Sequence, residues 1–191
     1  RSDASKLEPL SGLLVATLAF WSPFAAFGLV PFWLFLCLAK EPKALLSLEN
    51  VLAVPLLALV AVYLLAGAGG IPALFIGEVQ GFTWQGFIRF HVLEWILYAA
   101  ILLWARWEDW RLIAVAAASL LALSLVKVGL YNDGLMRGSL PAVAVLALLA
   151  GKVVGQRWTF RAVPLLLVLL LGIGTPVSEM IRISLSERHP A

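Results

Sequence analysis

Apolar residues run along this chain in long unbroken stretches rather than alternating with polar ones. The first stretch, 10–39, holds thirty residues without a charge. A straight helix of that length would span about 45 Å, against a hydrocarbon core of about 30 Å. Pro23 and Pro31 interrupt it, and Ser22-Pro23 marks a kink or break. Two arrangements remain open: one long kinked helix, the simpler, or a short partly re-entrant segment that dips in before a full crossing. Lys40-Glu41-Pro42-Lys43 is a polar turn. A second span follows at about 50–68, with Pro55 in its first turns and Gly67, Gly69, Gly70 and Pro72 at its end.

Residues 71–90 are punctuated by Gly77, Gly81 and Gly86 and carry Phe75, Phe82, Trp84 and Phe87. They are expected to form a loop in the headgroup region, where aromatic rings settle. Further spans are expected at 91–105, 112–130, 139–154 and 162–184. The turn after the third of the six contains Arg106-Trp107-Glu108-Asp109-Trp110-Arg111, and the one after the fourth Tyr131-Asn132-Asp133-Gly134. Thr175-Pro176 breaks the last. The pattern predicts an all-α, polytopic transmembrane bundle of about six spans, five to seven, in a single domain over 1–191.

Basic residues orient it. Connections after spans one, three and five hold Lys40, Lys43, Arg106, Arg111, Lys152, Arg157 and Arg161, whereas those after spans two and four hold Arg89 and Arg137. The first set is expected on the cytoplasmic side. Both chain ends and the aromatic loop then fall outside, although Arg1, Lys6 and Arg188 argue against that for the ends.

Composition sharpens the class. The chain is 62% hydrophobic and 13% charged, against roughly 45–50% and about 25% in soluble domains. That excludes a soluble globular domain, a disordered chain and a free nucleic-acid binder, and implies a lipid bilayer as partner. The net charge of +3 is accounted for by the cytoplasmic turns and does not call for nucleic acid. One cysteine, Cys37, and two distant histidines, His91 and His189, leave neither a disulfide framework nor a metal pattern. No P-loop, HExxH, GxSxG, DxD or Arg ladder occurs, so no metal or other cofactor is expected. The chain opens on the polar RSDASKLEP, without a signal-peptide pattern, and reads as part of a longer protein.

The informative residues are the ionisable ones near the membrane. Glu78, Arg89, His91 and Glu94 fall at the outer entrance to span three. Lys127, Asn132, Asp133 and Arg137 fall at the outer turn after span four, and Glu179 and Arg182 at the outer end of span six. A charge at a helix centre costs about 2.5–3.5 kcal/mol on insertion scales. Such residues pair, line a wet cavity or serve chemistry. The functional reading is an outward cavity for a charged or hydroxylated headgroup. Arg137 and Arg182 would hold phosphate, with Asn132 and Glu179 beside them. Glu94, Asp133 or Glu179 would act as base and His91 as proton-transfer partner. The bland readings stand beside it. Glu179 and Arg182 form an intrahelical pair, Asp133 caps a helix, His91 is an interfacial side chain, and Lys127 snorkels outward or pairs with Glu94.

Tyr131-Asn132-Asp133-Gly134-Leu135-Met136-Arg137-Gly138-Ser139-Leu140-Pro141-Ala142 resembles a YND-x-x-MR-x-S-[IL]-PA segment in the C-terminal membrane half of large bacterial polytopic proteins. The segments over 20–31 and 174–182 are similar too. Those proteins look like GT-C-type glycosyltransferases. The resemblance implies a polyprenyl-phosphate-linked sugar handled on the outer face of a bacterial inner membrane, with catalytic acids in an N-terminal half outside this chain. Two other functions remain open: a non-enzymatic accessory subunit bound to partner membrane subunits, and a small transporter using Glu94, Lys127 and Asp133.

Overall fold

The computed structural model describes residues 11–40, 42–67, 74–79, 81–127, 133–155 and 160–172. These are helical apart from one pair of two-residue strands. In chain order they form α1 (Ser11–Trp21), α2 (Pro23–Lys40), a 3-10 turn (Pro42–Leu46) and α3 (Leu48–Gly67). Next come β1 (Leu74–Phe75), a 3-10 turn (Ile76–Glu78) and α4 (Trp84–Ala105). A 3-10 turn (Trp107–Asp109) leads into α5 (Trp110–Ser124) and β2 (Val126–Lys127). The described part closes with α6 (Asp133–Gly138), α7 (Leu140–Gly155) and α8 (Ala162–Gly172).

Of the six spans expected, two helices among the described residues are long and apolar enough to cross a membrane. They are Trp84–Ala105, of 22 residues, and Leu135–Gly155, of 21. Shorter apolar helices cover Gly12–Trp21, Pro23–Ala39 and Leu48–Tyr63. Both long helices keep most of their apolar surface outward. The share buried inside the protein is 17% for the first and 33% for the second. Trp21, Leu93, Leu148 and Phe160 are likewise exposed.

The first apolar run is divided at its proline. Ser22 N–H still donates to the Leu18 carbonyl (2.9 Å), and Ala26 N–H donates to that of Ser22 (3.0 Å). Pro23 has no N–H to continue the ladder between them. The chain folds back there, because Gly12 lies against the indole of Trp33, 21 residues later. Val15 and Ala19 of α1 pack with Ala26 of α2 and Val60 of α3. The run is therefore a helical hairpin and not one long kinked helix, with the 90% exposed Trp21 near its tip.

Backbones approach closely where side chains are absent. Gly12 N–H donates to the buried Asn50 Oδ1 at 3.0 Å, and a Cβ on Gly12 would collide with that amide. Gly28 of α2 packs on the backbone carbonyl of Gly138, with Pro141 Cδ also close by. The larger core joins Phe32 of α2 to Leu102, Ala116, Leu146, Leu149 and Leu165 from α4, α5, α7 and α8.

These contacts give the bundle two ends. At one, Arg106 holds Asp109 (2.6 Å) and Glu108 (3.3 Å) in the α4–α5 turn. Arg161 caps the Ala105 carbonyl at 3.5 Å and lies over the ring of Trp104 (5.7 Å). Lys43, Arg111 and Lys152 belong to this basic end. The other end gathers the start of α2, β1, β2, α6 and the start of α4. Gly12 beside Asn50 puts the start of α1 at the basic end, whereas the charge count places the beginning of the chain at the other. Helix direction follows from the hairpin.

Gly28→Val is expected to drive a side chain into the Gly138 backbone and to destabilise the bundle by about 1–3 kcal/mol. Gly151→Val, where a Cβ meets nothing within 4 Å, should stay near wild type. Thermal unfolding in detergent checks the pair, and equal effects would discard the close-approach account.

Candidate functional site

Thr83 decides where α4 begins. It is extended (φ −136°, ψ 135°), and its Oγ1 accepts a hydrogen bond from Gly86 N–H at 3.1 Å, satisfying one of the orphan donors of a helix start. The helix therefore starts at Trp84, not at residue 91, and the expected headgroup loop is helical over its last third. Phe82, Trp84 and Phe87 pack edge to face across this start, with ring centroids 5.0–5.9 Å apart. His91 accordingly lies two turns inside α4 and is 2% exposed. Its ring is enclosed by the protein.

Segment 74–79 is tied to the end of α5. Leu74 pairs with Lys127 and Phe75 with Val126 in antiparallel register, and Ile76 N–H donates to the Leu125 carbonyl at 2.9 Å. That closes one side of a cavity of about 290 Å³ lined by Ile76, Phe82, Thr83, Phe87, Phe90, Leu135, His91 and Ser124. A second cavity of about 150 Å³ is lined by Glu94, Trp95, Ser139 and Val143, and again by Phe90, His91, Ser124 and Leu135. His91 and Ser124 are thus a wall common to both.

The contacts of this pair are short. His91 Nδ1 lies 2.9 Å from the Phe87 carbonyl, and Nε2 lies 2.7 Å from Ser124 Oγ. Ser124 Oγ also donates to the Leu121 carbonyl at 2.7 Å. The Phe87 ring is 4.1 Å from the imidazole, with Phe90 at 5.2 Å and Trp95 at 5.8 Å. Residues Val92–Ile96 then form a π turn, in which Leu97 N–H reaches back to the Val92 carbonyl. Such turns recur at functional sites because the extra residue re-aims the side chains around it.

Among the candidates from the sequence, the structure brings His91 and Glu94 to one cavity. Glu94 sits in the π turn, exposed, and among the described residues no ion pair joins it to Lys127. Arg89 is two residues from His91, Lys127 three from Ser124, and Arg137 lies between the cavity residues Leu135 and Ser139. Asp133 heads α6. Asn132, Glu179 and Arg182 lie outside the described residues. No group of three or more His, Cys, Asp or Glu among the described residues is placed to hold a metal ion.

Ser124 and Ser139 were not legible as site residues. Serines within Ala/Leu runs carry no spacing signal, and Ser124 meets His91 across 33 residues of sequence. The Thr83 cap did have a signal, a threonine directly before the helix that starts at Trp84.

No protein family, curated protein or solved structure matches this chain.

Removing one partner of a buried hydrogen bond leaves the other unsatisfied, at about 1–3 kcal/mol. Ser124→Ala and His91→Phe should each destabilise the bundle by about that much. The double variant should lose less than the sum, with a coupling of at least about 0.5 kcal/mol. Additive losses in chemical denaturation would mean that the two side chains do not interact.

Proposed function

We propose that the chain is a multi-pass bundle of a bacterial inner membrane and forms the membrane portion of a GT-C-like glycosyltransferase or related cell-envelope glycan protein. In this reading it binds a polyprenyl-phosphate-linked sugar at the end opposite the basic one, which faces outward. The low burial of the two long apolar helices supports the membrane setting, since the core helix of a soluble protein would be mostly enclosed. At the basic end Arg161 lies over Trp104 and Arg111 over Trp110, an arrangement suited to a cytoplasmic headgroup layer.

One observation carries the functional part. The polar groups His91, Ser124 and Ser139 converge on two adjoining cavities with Glu94. Arg89, Lys127 and Arg137 stand within three residues of the cavity lining on three separate elements. A sugar phosphate on a lipid presents the complement: an anionic group for guanidinium and ammonium, hydroxyls for His, Ser and Glu, and an apolar tail. The resemblance over Tyr131–Ala142 names the same end.

The test is binding of polyprenyl phosphate to the chain in nanodiscs, with the corresponding polyprenol as control. The phosphate form should bind more tightly. Arg137→Gln should weaken it by about tenfold, as loss of one charge-assisted hydrogen bond implies, while Lys152→Gln at the basic end leaves it unchanged. Equal affinity for phosphate and alcohol, or equal effects of the two substitutions, would remove the reading.

A further inference from the structure

Three short contacts meet at His91 and Ser124, and they call for more hydrogens than a neutral ring supplies. The Phe87 carbonyl can only accept, so Nδ1 carries a hydrogen. The Ser124 hydroxyl has one hydrogen and two acceptors within reach, His91 Nε2 and the Leu121 carbonyl, each at 2.7 Å. With a neutral ring, the hydroxyl serves one of them and leaves the other. With both ring nitrogens protonated, Nε2 donates to Ser124, the hydroxyl donates to Leu121, and all three contacts are satisfied. One added proton therefore completes a network that the neutral ring leaves one hydrogen short.

An aromatic ring and a helix end lie beside the imidazole. The Phe87 ring lies 4.1 Å from the imidazole, and aromatic faces attract cations. Ser124 closes α5, and the carbonyls of a helix C-terminus favour positive charge. The same carbonyls oppose a developing oxyanion, which separates a proton acceptor from a serine nucleophile. The charged residues on the elements packed here are Arg89 and Glu94 on α4, Lys127 in β2, Glu78 in the preceding 3-10 turn and Arg137 on α6. Of the described side chains, Glu94 shares a cavity with the ring.

The larger cavity combines Phe82, Phe87 and Phe90 with the hydroxyls of Thr83 and Ser124. Aromatic rings beside hydroxyls suit a sugar ring, which has apolar C–H faces and polar edges. At about 290 Å³ the cavity is near the lower size limit of small-molecule sites.

Resting on the glycan reading above, we propose that this cavity seats the hydroxylated acceptor and that Ser124, backed by His91, takes the proton from its attacking hydroxyl. The acceptor proton passes to Ser124 Oγ while the hydrogen of Ser124 passes to His91 Nε2. The acceptor oxygen bonds to the anomeric carbon of the donor sugar. The bond from that carbon to the phosphate oxygen breaks, and polyprenyl phosphate leaves with the electron pair. The imidazolium then returns its proton to water. Ser124 touches the substrate, and His91 acts through it as a positioning residue.

With two histidines in the chain, His189→Gln leaves a single imidazole for nitrogen-15 NMR in nanodiscs. The ring should carry its hydrogen on Nδ1 and leave Nε2 bare. Ser124→Ala should shift the Nε2 resonance. Octyl glucoside below its micelle concentration should shift it too, whereas an octyl chain with a choline headgroup should not. Leu135→Trp, which fills the wall shared by the cavities, should abolish the glucoside response. A ring with its hydrogen on Nε2 overturns the proton-acceptor role whatever the sugar does. The expected tautomer without a glucoside response overturns the acceptor seat. If polyprenyl phosphate fails to bind while tautomer and glucoside response hold, the donor reading falls and the hydroxyl site stands.

Discussion

Close approach between elements at three glycines is the constraint on which the arrangement of the bundle depends. Helices that bury so little of their apolar surface gain little from enclosing it, and in lipid the hydrophobic effect between them is absent altogether. What remains is van der Waals contact and a few cross-helix hydrogen bonds, both of which need short separations. Gly12 allows α1 to reach the Asn50 amide and the Trp33 indole, closing the hairpin. Gly28 sets α2 against the carbonyl of Gly138 at the α6–α7 junction. Because α2 is held there, Leu135 and Ser139, on either side of Gly138, are fixed at the cavities.

The second consequence is one of level. From His91 to the end of α4 at Ala105 is fourteen residues, and from the start of α5 at Trp110 to Ser124 is also fourteen. At about 1.5 Å per residue both side chains lie roughly 21 Å from the basic end, which is why residues on antiparallel helices meet. The Thr83 cap matters for the same reason. By starting α4 at Trp84 it adds about two turns of helix beyond His91 and encloses the imidazole. Polar groups at such a level need partners from within the protein, and the pair supplies them to each other.

How much of this was readable from the sequence follows from the range of the interactions involved. Apolar runs and charged turns are local, so the helices and the grouping of basic residues at one end could be read directly. The first run was ambiguous for a physical reason. A proline permits either a kink or a reversal, and the choice is made by Trp33 and Asn50 packing on Gly12, contacts of 21 and 38 residues in sequence. The start of α4 was misplaced because Gly77, Gly81 and Gly86 read as loop, although Gly86 gives up only modest helix propensity and its N–H is the one that Thr83 caps. Of the site, Glu94 and His91 were found because ionisable residues in apolar runs are conspicuous. Ser124 was not, since a serine becomes a site residue only through what lies opposite it. The proposed roles of Asn132, Glu179 and Arg182 fall on residues that the structure does not describe.

A tie between two helices needs one donor and one acceptor, and a serine bonded to a backbone carbonyl across the interface would provide it. The wall between the cavities holds more. Its imidazole has one nitrogen committed to a carbonyl of its own helix and the other facing a hydroxyl that already has a carbonyl within reach. In the neutral state there are three acceptor positions for two hydrogens, so one contact is always short of a donor. Buried polar groups are otherwise almost fully paired, and a persistent deficit of one hydrogen is costly in a purely structural contact. It ceases to be a deficit when a proton arrives from either cavity. The same geometry that makes the pair an imperfect tie therefore makes it a complete acceptor for one proton, and its position in the shared wall gives both cavities access to it.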